Sequence, residues 1–340
     1  MKTERLEICC ELYDKSINRA AELLKSGGIV AIPTETVYGL AASAYDEAAV
    51  GKIFAAKGRP QDNPLIVHIA DISMLQDITS EITDKAIECA KAFWPGPFTM
   101  VLKRGKAIPK SVSAGLDTVA VRMPDDIVAR DLINACRVPL AAPSANVSGS
   151  PSPTTPYHVI NDLDGRIDAV IMGNDCGIGL ESTVVTLCTN PPRLLRPGGL
   201  TVEQLKSVLP DIVVDDAVLK EPKKDEAVAS PGMKYKHYAP KTETVLVSAG
   251  SDDFIEFVNN KKDCLAVCFN EESDKITVKK MSYGSQNDTA DLAHNLFSML
   301  RAVDGMNVKT VYIHTPEKTG VGLAVYNRLI RAAAFKVIEL

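Results

Sequence analysis

The 340-residue chain has no surplus of positive charge; its formal net charge is -5 at pH 7. Sequence-independent nucleic-acid binding needs a broad positive field, so that class is disfavoured and any phosphate binding must be local. No apolar run approaches the ~20 residues that cross a bilayer. The first eleven residues alternate in charge and lack the basic start and apolar stretch of a secretory signal, so the cytosol is expected. The eight cysteines include no C-x-x-C pair, and several stand in apolar runs such as Cys264 to Cys268; buried free thiols in a reducing compartment fit best. Nucleophile-elbow and zinc-ligand spacings are missing too, so covalent and zinc chemistry have no support.

What is present is an ordinary globular composition, 46% hydrophobic and 24% charged, at a length that suits two domains of ~150 residues each. Ser16 to Leu24 has helical apolar spacing and stops at Gly27-Gly28, and Ile29 to Ile32 then reads as a buried strand. A second helix is expected from the N-cap Asp46 to Lys57, with Gly58 past its end, followed by a strand at Leu65 to Ile69. Further strands are expected at Phe98 to Leu102, Thr118 to Arg122, Pro139 to Ala142, Ala169 to Met172 and Thr183 to Leu187. A capped closing helix from Thr201 to Pro210 would end a mixed α/β catalytic domain over residues 1–210. Residues 211–241 are charged and Pro-rich, as a linker would be, yet Ser230 to Pro240 concentrates two tyrosines, a histidine and two lysines. From 242 to 340 strands and helices alternate, the pattern of a small doubly wound parallel sheet, although no G-x-G-x-x-G follows its first strand.

Four polar segments stand where α/β sheets put ligand sites, each with a plain structural alternative. Pro33-Thr-Glu-Thr-Val-Tyr-Gly39 offers hydroxyls as a strand emerges, or is an ordinary polar exit. Lys57-Gly-Arg59 sets two cations astride a glycine, as a phosphate chain needs, or is a cationic helix C-terminus. Ser144, Asn146 and Ser148 follow an apolar strand and would donate to phosphate or ribose, though N-capping explains any one of them. Arg196, before Pro-Gly-Gly, is a further guanidinium for a cleft or a surface ion pair; Glu181-Ser182-Thr183 precedes it. His68 and Arg122 sit inside strands, where a histidine is usually just hydrogen-bonded and an arginine must find an anion. Together the segments suit a cleft carrying Lys57, Arg59, Ser144 and Asn146 that binds the phosphates and ribose of a nucleotide such as ATP.

In their order and spacing, Pro33 to Leu40, Lys57-Gly-Arg59, Asn63 to His68, Ser144-Ala-Asn146 and Ser182 to Val185 resemble the threonylcarbamoyl-AMP synthase family with its YrdC-like domain. The likeness spans roughly residues 13–210, and the linker and last domain are similar to the longer, two-domain members. The chain departs from the family at Thr186, where Asp is frequent. The resemblance implies a nucleotidyltransferase with a YrdC-like mixed sheet and a Rossmann-like second domain. It implies that L-threonine, bicarbonate and ATP give L-threonylcarbamoyl-adenylate and pyrophosphate, and that a partner complex carries the group to a tRNA adenosine beside the anticodon. Lys57, Arg59, Ser144 and Asn146 would then be catalytic. Arg59, Asn63, Thr118, Ser144, Asn146, Ser152 and Arg196 would hold ATP with Lys57, and Tyr235 would close over it. Thr34, His68, Arg122, Ala142 and Ser182 would hold threonine, Arg122 on its carboxylate. Mg2+ is expected on the phosphates, with no dedicated protein ligands, no membrane and no stable direct nucleic-acid binding. The rivals are an RNA-binding module, weakened by the acidic charge, and a carbamoyl-adenylate enzyme of hydrogenase maturation, expected to carry zinc-binding Cys pairs that are missing here.

Overall fold

The expected second helix forms as its ends dictate. The Asp46 side chain accepts a hydrogen bond from Ala49 N, and Gly58 stops the helix after Lys57 at φ 61°, in the left-handed region open to glycine. The computed structural model describes residues 2–220 and 238–340. Helices α1 (Tyr13–Lys25), α2 (Glu47–Lys57), α3 (Leu75–Ile78), α4 (Asp84–Phe93), α5 (Ile127–Cys136), α6 (Pro156–Leu163) and α7 (Val202–Leu205) accompany one large sheet. Its strands are β1 (Glu4–Glu7), β2 (Val30–Ile32), β3 (Gly39–Ser43), β4 (Ile66–His68), β5 (Phe98–Lys103) and β6 (Thr118–Arg122). They continue with β7 (Leu140–Ala141), β8 (Ala169–Met172), β9 (Thr183–Thr186), β10 (Arg193–Arg196) and β11 (Val213–Val214).

The spatial order is β1-β8-β2-β3-β7-β4-β6-β5-β9-β10-β11. The sheet is mixed, as expected: β2 runs parallel to β8 but antiparallel to β3, and β4 parallel to β6 but antiparallel to β7. Alternation along β2 divides the core, because successive side chains point to opposite faces. Ala31 joins the cluster that takes in α2, α4 and α6, whereas Val30 and Ile32 join the one under α1 and α5. Each aliphatic side chain so buried contributes about 1.5–3 kcal/mol.

The closing helix is shorter than expected. The Thr201–Gln204 capping box forms, yet α7 ends at Leu205. Ser207 Oγ takes the Gln204 carbonyl that a longer helix would use, and Ser207 N also turns back to it. The cysteines need a correction as well. All eight are free, but Cys9, Cys10 and Cys188 are exposed, because their segments lie at the surface and not in the apolar runs that bury the other five. No helix among the described residues is long and apolar enough to cross a membrane.

A second sheet comprises β12 (Glu243–Ser248), β13 (Cys264–Cys268), β14 (Lys279–Ser282), β15 (Thr310–His314) and β16 (Val337–Glu339). It is parallel throughout, in the order β14-β13-β15-β12-β16. Helix α8 (Ser251–Asn259) covers one face with Val247 and Ala266, while α9 (Thr289–Val303) and α10 (Gly320–Ala332) cover the other with Leu246 and Val267. This is the expected doubly wound arrangement. The α9–α10 cluster also takes in Val37 and Leu180 from the first sheet's half. Gly179, at φ 78°, lies so close to α9 that a Cβ there would fall 2.6 Å from His294 Cα. The second half is therefore packed against the loops that emerge from the first.

Candidate active site

Lys57 ends α2 with its side chain only 1% exposed, so its ammonium must find acceptors. Nζ donates to Ser144 O and, at 2.5 Å, to Asn146 O, with Asn146 Oδ1 at 3.4 Å. Ser144 Oγ donates to Asn146 Oδ1 at 2.5 Å, and Asn146 Nδ2 donates to Val147 O at 2.8 Å and Ser150 O at 2.9 Å. The loop is tied to the sheet where Gly39 bridges Ser144, and Ser148 N donates back to Lys57 O. Lys57, Ser144 and Asn146 thus form one bonded unit in the wall of a cleft. Arg59 follows the helix-stopping glycine, and its Nη2 donates to Asn63 O at 3.3 Å and Pro64 O at 3.1 Å.

Across the cleft, β6 delivers Arg122 in the same register as His68 on β4. Arg122 Nε donates to Gly96 O at 3.2 Å and Nη1 to Thr36 Oγ1 at 2.8 Å. Nη2 lies 2.7 Å from Glu35 Oε1, an ionic contact that is not aligned as a hydrogen bond. Glu35 is thus the anion that a strand-interior arginine required. Thr34 Oγ1 donates to Val37 O at 2.6 Å and accepts from Thr36 N and Val37 N at 3.2 Å, which fixes the turn beside that pair. From the far edge, Arg196 on β10 donates through Nε to Ser182 O at 3.0 Å and through Nη2 to Ser182 Oγ at 3.1 Å.

Burial and mutual repulsion set the charge states. Burial, with Arg122 nearby, pushes His68 down to about 3, so its ring is neutral at physiological pH. Burial lowers Lys57 well below the usual lysine range, and Arg59 adds to the effect. Burial likewise brings Arg59 and Arg196 down to about 10, which leaves both protonated. Burial raises Glu181, but Arg328 and Arg196 outweigh it and hold the carboxyl at about 2. Lys57, Arg59, Arg122 and Arg196 all line the cleft, against the single carboxylate Glu181 among the described residues that line it. Such a pocket attracts an anion and can stabilise charge spreading over phosphate oxygens.

Eleven of the residues singled out in the sequence line this one cleft: Thr34, Lys57, Arg59, His68, Arg122, Ala142, Ser144, Asn146, Ser148, Ser182 and Arg196. Three do not. Asn63 is buried behind Arg59 and offers it a carbonyl. Thr118 begins β6 opposite Lys103, and Ser152 is buried with its hydroxyl 2.5 Å from Glu181 Oε1. Tyr235 lies outside the described residues. Thr36, Glu181 and Tyr238 line the cleft without having been singled out as site residues. Tyr238 adopts φ 63°, is buried, and packs its ring 5.2 Å from that of Phe297 on α9. The aromatic and cationic density of its segment was a signal, but it did not distinguish Tyr238 from Tyr235.

Two family models divide the chain almost end to end. One, described as "Telomere recombination", matches residues 22–198; the other, "Threonylcarbamoyl-AMP synthase, C-terminal domain", matches residues 200–334. The threonylcarbamoyl-AMP synthase of Pyrococcus abyssi is 44% identical over 331 residues, covering 95% of this chain and 96% of that one. The chain belongs to the threonylcarbamoyl-AMP synthase family. A second family member, the threonylcarbamoyl-AMP synthase of Bacillus subtilis, is 44% identical over 352 residues and covers 100% of both chains. Among solved structures, Pyrococcus abyssi Sua5 complexed with L-threonine matches at a TM-score of 0.90 and 39% identity, covering 100% of both chains. Members of this family transfer an adenylyl group, and ATP is a substrate of their reaction.

Proposed function

We propose that the cleft condenses L-threonine, bicarbonate and ATP into L-threonylcarbamoyl-adenylate, with release of pyrophosphate. The observation that carries this reading is the convergence of Lys57, Arg59, Arg122 and Arg196 on one cleft that also presents hydroxyls, the Asn146 amide and the neutral His68 ring. The threonine amine and bicarbonate form a carbamate and water. A carbamate oxygen then attacks the α-phosphorus as its bond to the pyrophosphate oxygen breaks. No protein nucleophile is required, so the work is to juxtapose two anions and to stabilise charge on the phosphates.

The roles divide by position. Arg122 takes the threonine carboxylate in exchange for Glu35, among Thr34, His68, Ala142 and Ser182. Arg59 and Arg196 hold the phosphates, and Lys57 braces Ser144 and Asn146 against the nucleotide. Asn63 supports Arg59 from behind, and Ser152 acts through Glu181. Thr118 and Tyr235 belong to the ATP site by resemblance, Tyr235 as part of its cover. Magnesium enters as the counter-ion of ATP. The cleft's carboxylate, Glu181, is already paired with Arg328, so phosphate oxygens and water would complete the ion's shell. The protein works in the cytosol, and its unstable product passes to a transferase complex that modifies tRNA. Incubating the chain with Mg2+, ATP and bicarbonate, with and without L-threonine, should give pyrophosphate only when threonine is present. Threonine-independent release, or none, would overturn the reading.

A further inference from the structure

The cleft is built from the first sheet, yet Glu181, the one carboxylate among the described residues that line it, is tied to the second half of the chain. Arg328, on the buried length of α10, is 0% exposed and is among the largest side chains fully enclosed in the molecule. Its Nε donates to Glu181 Oε2 at 2.8 Å, its Nη2 reaches Glu181 O at 3.4 Å, and its Nη1 donates to Asn327 Oδ1 at 2.7 Å. The other carboxylate oxygen accepts from Ser152 Oγ. Glu181 precedes Ser182, whose carbonyl and hydroxyl both hold Arg196.

We infer that Arg328 is a positioning residue of the synthase reaction, through which the C-terminal domain neutralises and orients Glu181 so that the cleft can accept polyphosphate. This rests on the reading of the cleft as the ATP site. A buried ion pair is a poor adhesive, because desolvating both groups consumes most of what their attraction returns. Apolar contacts such as those of Val37 and Leu180 already join the halves without that penalty. What the pair does provide is local. Without Arg328, Glu181 would face the cleft as an anion that draws on Arg196, the guanidinium assigned to the phosphates and the other cation that lowers its pKa. The carboxylate would then repel the nucleotide and compete for its ligand at once. Arg328 prevents both, and its second contact, to Glu181 O, fixes the main chain that carries Ser182.

The test uses the full chain with Arg328→Met, alone and combined with Glu181→Gln, and measures equilibrium binding of Mg·ATP and the KM for L-threonine. Arg328→Met should weaken ATP binding roughly tenfold or more while shifting the threonine KM far less. Adding Glu181→Gln removes the stranded charge and should bring ATP affinity back to within about threefold of the parent chain. A merely structural tie would be lost equally in the double variant, so no recovery there, or unchanged ATP affinity in a folded Arg328→Met chain, overturns the inference. Should Arg328→Met fail to fold, Glu181→Gln alone decides: it leaves the cleft more positive, and ATP should bind at least as tightly as to the parent, a tenfold weakening being contrary. Absence of ATP binding by the parent chain would instead sink the reading of the site.

Discussion

Replacing Lys57 by Met separates two jobs a buried cation in this cleft can do. If Nζ is chiefly a phosphate ligand, the apo protein gains from its removal, because an ammonium with 1% exposure carries a desolvation cost. If it is chiefly a brace, removal strips the donor from Ser144 O and Asn146 O, which lie in the part of the loop that Nζ reaches. Each stranded carbonyl costs about 1–3 kcal/mol. Methionine keeps the apolar stem, and relief of the desolvation offsets part of the loss. The geometry, with Nζ already committed to main-chain acceptors, favours the brace, with a net loss of about 2–3 kcal/mol.

For a domain of about 200 residues that loss lowers the Tm by roughly 4–12 °C. Ser144 and Asn146, freed by the order of 1 Å, should also cost about 100-fold in the chemical step. The assays are thermal unfolding by circular dichroism and threonine-dependent pyrophosphate release on the same preparation. A Lys57→Met chain that melts at or above the parent temperature, with its activity gone, would refute the brace and restore Nζ to the phosphates.

Arg122→Gln removes the fork that Glu35 now occupies and should raise the KM for threonine by about 10- to 100-fold while moving the KM for ATP less than threefold; equal changes in both would count against a threonine subsite there. Folded His68 stays neutral down to about pH 3, whereas the unfolded chain takes a proton near 6.5, so stability is complete above pH 6.5 and falls by about 2 kcal/mol by pH 5. Glu181, held at about 2 against an ordinary 4.5, adds a further loss that begins below pH 4.5. Urea midpoints at pH 7.5 and 5 should show the first decline, to which His158, brought down to about 4 by burial, adds in the same direction; His68→Gln should remove the His68 share and leave that of His158, and an undiminished decline in His68→Gln would refute the assignment. Tyr238→Ala opens the cleft wall against Phe297 and should cost about 3–5 kcal/mol together with ATP affinity, while Tyr238→Phe keeps the ring packing and most of the stability.

The elements readable from sequence were those whose ends or periods carry their own physics. Asp46 and Gly58 bracket α2. The branched, buried runs of β6 and β8 lie where their composition put them. Strands β1, β3, β10, β11, β14 and β16 were not legible. β3 reads Gly-Leu-Ala-Ala-Ser, without alternation or branching, and is a strand because β2 and β7 pair with it on either side. β11 has two exposed residues and exists only through its pairing with β10. Tertiary pairing decides such segments, and local sequence carries little trace of it.

The same distinction governs the site. A cation inside a strand betrays itself, because a charge in an apolar run has to be satisfied, and Arg122 was found that way; Lys57 was found as one of two cations astride Gly58, and Arg196 as a guanidinium before Pro-Gly-Gly. Their partners were not, because satisfaction comes from afar: Arg122 meets Glu35, Lys57 meets the Ser144 loop, and Glu181 meets Arg328, all across long stretches of chain. Helix α10 makes the point most plainly. From Gly322 to Ala332 every residue is buried, Asn327, Arg328 and Arg331 included, so this is a helix enclosed on all sides and not an amphipathic cover. Asn327 donates to Val218 O and Arg331 to Ala217 O, on the chain leaving the first sheet, while Arg328 reaches the cleft wall. Polar side chains on an enclosed helix are costly unless paired. Asn327, Arg328 and Arg331 each reach a partner in the other half, so the second domain is shaped to grip the first beside its cleft, and a chain truncated before α10 would leave Glu181 charged and without its Arg328 partner.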